Sequence, residues 1–136
     1  MPQITEEFRP ELLHDDESVG YIEAHMQVKL DDPYALQLIM MVGEKCHLRT
    51  LAVEQFDRAL SDPDMPQGTG EVTVMYLEEE AIVLVELPNG EHGPIQLHFD
   101  VAPVDIFLAC VRQLVKGNHL KKQYRNQGFD ALLRQE

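Results

Sequence analysis

Tryptophan is absent from this 136-residue chain, and tyrosine and phenylalanine together make up only 7% of it. Proteins that hold single strands without reading their sequence need aromatic side chains for base stacking inside a basic groove. The second ingredient is as scarce as the first. Lys and Arg number 11 against 24 Asp and Glu, for a net charge of −13. An acidic surface repels phosphate backbones and anionic headgroups, which disfavours general nucleic-acid and membrane-surface binding. Only two cysteines occur, Cys46 and Cys110, far apart and outside any Cys-x-x-Cys spacing. That excludes a disulfide scaffold and reads as two buried thiols in a reducing compartment. No apolar run approaches the ~18 residues that a membrane-spanning helix needs. No basic-then-apolar leader opens the chain. The expectation is a cytoplasmic protein that inserts into no membrane.

The length suits one domain with a core of its own. The charge within it is uneven. Residues 112–136 hold six bases and two acids, whereas residues 1–111 hold 22 acids and five bases. An acidic body therefore carries a basic end, the one place where an acidic partner finds complementary charge. Residues 1–19, with Pro2, Pro10 and the run Asp15-Asp16-Glu17, read as an acidic flexible arm, mobile or loosely docked, with Phe8, Leu12 and Leu13 as anchors for part of it, in a short helix after Pro10. Residues 20–117 read as the folded domain, and 118–136 as a basic tail of helical character broken near Gly128.

Within the domain the hydrophobic period switches twice. Ile22, Ala24, Met26, Val28 and Leu30 alternate with polar residues, which predicts a strand with one buried and one wet face. Asp31-Asp32-Pro33 turns the chain. Residues 34–42 are almost all apolar and predict a strand buried on both faces; 46–50 predicts a third, with Lys45, His47 and Arg49 on one face. Val53, Phe56 and Leu60 then recur at helical spacing, and Pro63 stops that helix. From Pro66 a glycine-bearing turn leads into strand 72–77, the acidic turn Glu78-Glu79-Glu80 and the apolar strand 81–87, a hairpin in the middle of a sheet. Ile95–Phe99 gives a further strand. Val104, Phe107, Leu108, Val111, Leu114 and Val115 form the stripe of a second helix, with Pro103 in its first turn and Gly117 as its closing cap. The fold class is α+β, antiparallel sheets in the order βββα-βββα.

Little here carries chemistry. Gly68-Thr69-Gly70 precedes a strand and no lysine follows, whereas phosphate-cradling glycines open a helix; a tight turn is the better reading. Of six histidines none has ligand spacing. His25 and His47 meet across a sheet in one reading, but two ligands leave a zinc site incomplete. The only serines, Ser18 and Ser61, lie in turn-like contexts. The sequence therefore offers no catalytic, cofactor-binding or metal-binding residues, and an enzyme is not expected. The stripe of the second helix reads first as core. Yet two strands apolar on both faces need more cover than two short helices supply. An oligomer is the expectation, with Val104, Phe107, Leu108 and Val111 as interface candidates. Lys116, Lys121, Lys122 and Arg125 are the partner-binding candidates.

Four features now combine: Asp32-Pro33-Tyr34-Ala35 before a strand that ends at Gly43, Pro66-x-Gly68-x-Gly70-Glu71-Val72-x-Val74 ahead of the hairpin, the Pro88-Asn89-Gly90 turn, and Phe107-Leu108 in the last helix. Over about residues 22–117 this order and spacing resemble the SsgA/SsgB-like proteins, actinobacterial regulators of sporulation and cell division. The chain departs from that pattern at Leu48-Arg49-Thr50-Leu51-Ala52, where the family has a Phe-Ala-Arg-like segment, and at Val111, where it often has threonine. The resemblance implies a bell-shaped protomer, similar in shape to the Whirly proteins, that assembles as a homotrimer without catalysis or cofactor. It implies recruitment to the division septum and binding of division proteins, the tubulin-like FtsZ and other family members among them. The Whirly likeness leaves single-stranded nucleic-acid binding as the alternative function.

Overall fold

A computed structural model describes the backbone of residues 3–68 and 72–126, and side chains as far as Gly117. Nine strands and two α-helices follow one another as β1 (Gln3–Phe8), β2 (Glu11–His14), β3 (Glu17–Tyr21), β4 (Glu23–Lys29), β5 (Asp32–Val42), β6 (Lys45–Ala52), α1 (Val53–Ser61), β7 (Thr73–Leu77), β8 (Ile82–Leu87), β9 (Ile95–Asp100) and α2 (Val101–Asn126). From β4 onward this is the expected βββα-βββα order, in an α+β fold. Two antiparallel sheets form, in the orders β1-β4-β5-β6 and β3-β2-β9-β8-β7.

The alternating strand is β4. Ala24, Met26 and Val28 are fully buried, and Met26 opposes Leu38 on β5. Pro33 sits at the start of β5, before pairing with β6 begins at Ala35 opposite Ala52, so its missing amide breaks no bond of that ladder. β5 is buried on one face only: Leu36, Leu38 and Met40 point inward, while Gln37, Ile39 and Met41 are half-exposed. Burial on both faces, expected for 34–42, holds instead for β8, where Val83, Leu84 and Val85 are all buried.

The flexible-arm reading of residues 1–19 is corrected. β1 pairs with β4 through Ile4 opposite Val28 and Phe8 opposite Ala24. β2 pairs with β9 through Leu12 opposite Leu97, and no helix follows Pro10. The chain thus starts in one sheet, crosses to the other for a hairpin, and returns. The Ile22 amide, bonded to the Pro10 carbonyl at 3.0 Å, closes that excursion. At the crossing the Phe8 ring meets Phe99 of β9 and Phe107 of α2 edge-on, at centroid distances of 5.7 and 6.1 Å. Acid content hid these strands: in β1, Glu6 and Glu7 lie between the two residues that anchor it, Ile4 and Phe8.

The hairpin of residues 73–87 lies at a margin, since β7 is an edge strand and β9 the central one. The edge is covered by the chain's own preceding loop. The Asp64 amide donates to the Tyr76 carbonyl (2.8 Å), and Gln67 and Val74 exchange backbone bonds at 2.8 and 2.9 Å. Covering an edge in this way blocks pairing with a foreign strand. Gly68, at φ +141°, makes the loop possible: a Cβ there would lie 2.3 Å from the Val72 carbonyl oxygen. Gln55 of α1 stands beside it, donating to the same carbonyl at 3.4 Å. The tight-turn reading therefore holds at Gly68; Thr69 and Gly70 lie outside the described residues.

α2 does not stop at Gly117. It runs 26 residues, about 39 Å at 1.5 Å per residue. Lys116 before the glycine and Leu120, Lys121 and Lys122 after it favour helix, and no proline follows. The helix absorbs a glycine that costs roughly 1 kcal/mol relative to alanine. The proposed break at Gly128 lies outside the described residues. Among the described residues, no helix is long and apolar enough to cross a membrane.

Two stability outcomes follow. Phe8→Ala lowers the unfolding free energy by about 3–5 kcal/mol in urea titration; an unattached arm would show no change. Gly68→Ala lowers it by about 1–3 kcal/mol, because both the backbone conformation and the space are denied to a side chain.

Candidate partner-binding surface

The interface candidates are the first to be relocated. Val104, Phe107, Leu108 and Val111 are between 0 and 2% exposed and belong to the protomer's own core. Val104, Phe107 and Leu108 are therefore used inside the protomer and not on a contact between copies, which corrects that expectation, while Val111 reaches only the floor of the groove described next. They point inward because α2 lies across both sheets, touching β1 and β5 of one and β8 and β9 of the other.

Where the helix leaves the core, a groove of about 780 Å³ opens between α1, the second half of α2 and the start of β5. Its floor is apolar, from Pro33, Val53, Val111 and Val115. Tyr34, 64% exposed, forms one wall. The two banks carry opposite charge, Glu54 and Asp57 on α1 and Arg112 and Lys116 on α2. The Arg112 guanidinium bridges the banks, its Nη2 donating to Asp57 Oδ1 at 3.0 Å, while Arg58 pairs with Glu54 one turn away at 2.7 Å. Both pairs are solvent-exposed, so each contributes little to stability. They orient the rim instead. An apolar trough with charged lips suits an amphipathic segment of another chain.

Of the four partner-binding candidates, Lys116 lies on this rim. Lys121, Lys122 and Arg125 follow on the same helix, in the stretch whose side chains are outside the described residues. From Arg112 to Asn126 the helix carries five bases and no acid. The sequence did not reveal the groove itself. Tyr34 was hidden in an apolar strand and Pro33 in a turn, and only the tertiary packing sets α1 beside them.

Other clusters do less. His25 and His47 do not meet: His25 opposes Ile39 and His47 opposes Met40, neighbouring residues of β5 that face opposite sides of the sheet. His25 lies instead with Glu7 and Glu23, their ligand atoms within 4.8 Å of one another. Arg9 already pairs with these carboxylates, at 3.2 Å from Glu7 and 3.9 Å from Glu23. Among the described residues the exposed tyrosines, Tyr21 and Tyr34, lie on different elements beside acidic residues and form no stacking platform. The thiols differ from expectation, since both Cys46 and Cys110 are exposed. Cys46 lies on the outer face of edge strand β6, opposite Met41, and Cys110 flanks the buried stripe of α2 on its solvent side. Both therefore react with a thiol reagent in the folded protein, to a stoichiometry of two. A stoichiometry below two before denaturant is added contradicts this.

No family model and no curated protein matches the chain. Solved structures do. The chain is similar to SsgB of Streptomyces coelicolor, the subject of work on mutations that correlate with longitudinal cell division during sporulation. The TM-score is 0.71 and the identity 21%, over 84% of this chain and 89% of that one. It is also similar to an SsgA-like sporulation-specific cell division protein from Thermobifida fusca, with a TM-score of 0.70 and 25% identity, over 84% and 81% of the two chains.

Proposed function

This chain has the fold of the SsgA/SsgB-like sporulation and cell division proteins, and on that premise we propose that it regulates cell division during sporulation. It does so without catalysis, as a homo-oligomer that binds division proteins such as FtsZ and helps to position them at the septum. The observation that carries this reading is the likeness of fold over 84% of the chain to two proteins concerned with sporulation and division. The surface supports it in kind. A groove with an apolar floor and charged lips takes a segment of a partner, and the basic half of α2 beside it attracts an acidic one. Long-range charge of this sort speeds encounter and sets orientation more than it adds affinity.

The test is co-sedimentation with FtsZ polymers. The full chain pellets with them. A variant with Lys116, Lys121, Lys122 and Arg125 all changed to Gln pellets at least tenfold less, and raised salt weakens the parent chain alone. Equal pelleting by both removes the basic half of α2 from the reading, and no pelleting by either removes FtsZ.

A further inference from the structure

β6 has an inward face that is not a core face. Along the strand Lys45, His47, Arg49 and Leu51 alternate with Cys46, Leu48 and Thr50. Register decides which set points in. Leu51 opposes Leu36, Arg49 opposes Leu38 and His47 opposes Met40, and those three β5 residues are buried. Directly opposed residues share a side of the sheet. Three basic side chains therefore stand toward the second sheet, where β5 sets leucine and methionine.

What they meet there is a small cleft. His47 and Arg49 line it together with Leu12 of β2, Met40 of β5, Leu87 of β8 and Ile95 of β9. Its volume is about 110 Å³. An apolar cavity of roughly 150 Å³ holds a benzene ring, so this one has room for a single branched aliphatic group. Among the described residues no carboxylate lines it. Arg9, Arg58 and Arg112 each pair with a carboxylate, and Arg49 does not. Among the described residues its side chain makes one hydrogen bond, from Nη1 to the Leu48 carbonyl at 2.9 Å, and its other nitrogens are open to solvent. In a chain of net charge −13, the protomer thus leaves a half-buried guanidinium without an anion. β6 is the last strand of its sheet, so the cleft opens at a margin that no further strand covers.

We propose that this cleft binds an organic carboxylate carried on a short branched aliphatic group. The aliphatic part lies against Leu12, Leu87 and Ile95, and the carboxylate sits on Arg49 with His47 beside it. A guanidinium fork donates two parallel N–H bonds to one carboxylate. An imidazole has an N–H to give in either protonation state. A free short acid offers this chemistry, and so does the C-terminal leucine, isoleucine or valine of a peptide. Inward charge on an edge strand also discourages pairing with a foreign strand, but that role needs no ligand and lysine serves it as well as arginine. The cleft shares no lining residue with the groove between α1 and α2. The site therefore stands or falls apart from the function proposed above, and Cys46 stays free on the opposite face of β6.

The test is an amide-resolved NMR titration of the full-length protein with isocaproate, with isocaproamide, and with a short peptide ending in leucine as the free acid or as the amide. The carboxylates shift the signals of residues 45–51 and 87–95 to saturation, and the amides bind about tenfold more weakly. Arg49→Gln weakens carboxylate binding about tenfold, and Arg49→Lys, which keeps the charge but not the fork, about threefold. The thermal midpoints of both variants, followed by circular dichroism, stay level; if one falls, the comparison of acid with amide on the parent chain decides. Saturation by isocaproate alone assigns the site to a small acid, and tighter saturation by the peptide assigns it to a chain terminus. No saturation by either carboxylate at millimolar concentration overturns the proposal. So do amides that bind as well as acids, and so does a folded R49Q variant that binds like the parent. Aggregation of R49Q beside a parent chain that binds no carboxylate leaves edge protection as the whole role of Arg49.

Discussion

The fold depends on one aromatic junction. Phe8 ends a strand of the first sheet, Phe99 belongs to the central strand of the second, and Phe107 faces both from α2. Edge-on ring contacts add a modest increment to the area that the three rings bury. Their position matters more than that increment. The sheets have no strand in common, so what joins them is side-chain packing, the short covalent crossings on either side of the β2–β3 hairpin and the longer one through α1. Phe8 stands at the first crossing. With it in place, α2 has a surface to lie across, and the later half of the helix is aimed past the core to form one bank of the groove.

The groove follows from the same arrangement. α1 is short, three turns at most, and its buried residues Val53, Phe56 and Ala59 hold it beside β7 and β5. α2 is long and leaves the core after Val111. Two helices of unequal length on one body leave a trough where the longer one runs on alone. The trough is floored by the margin of the core itself, Val53 and Val111, and its banks carry what each helix leaves exposed, acids on α1 and bases on α2.

Much of this could be read from residues alone, and the failures have physical causes. Period-two alternation from Ile22 to Leu30 gave β4 its buried face without ambiguity, because one sheet face is wet. The stripe from Val104 to Val111 marked α2 and its inward side. The same stripe misled when it was also offered as an interface, since periodicity reports which side is apolar and not what lies against it. Composition outweighed pattern at residues 3–21, where Phe8 and Leu12 were legible as anchors but the glutamates concealed the strands that carry them. The cysteines went the other way: cysteine is commonly buried, but Cys46 and Cys110 lie on faces that nothing in the protomer covers. Glycine was read correctly at Gly68 and wrongly at Gly117, where good helix formers on both sides outweighed a single weak residue. The basic rim residue Lys116 was legible from charge; Tyr34 and Asp57 were not, because only tertiary packing sets them on the same trough.

The early crossing from one sheet to the other also bears on synthesis. β2 and β3 make their own hairpin, but the second sheet places β2 against β9, with Glu11 opposite His98. Pairings this distant in sequence are slow to form, because a long loop must close before any contact rewards it. On the ribosome the first sheet is complete once β6 has emerged, while the hairpin of residues 11–21 waits with one edge open until the last strand arrives. That waiting edge is the part of the nascent chain most open to wrong pairing, and the acids of its hairpin, Glu11 on β2, Asp15 and Asp16 in the turn and Glu17 on β3, place charge beside it in the interval.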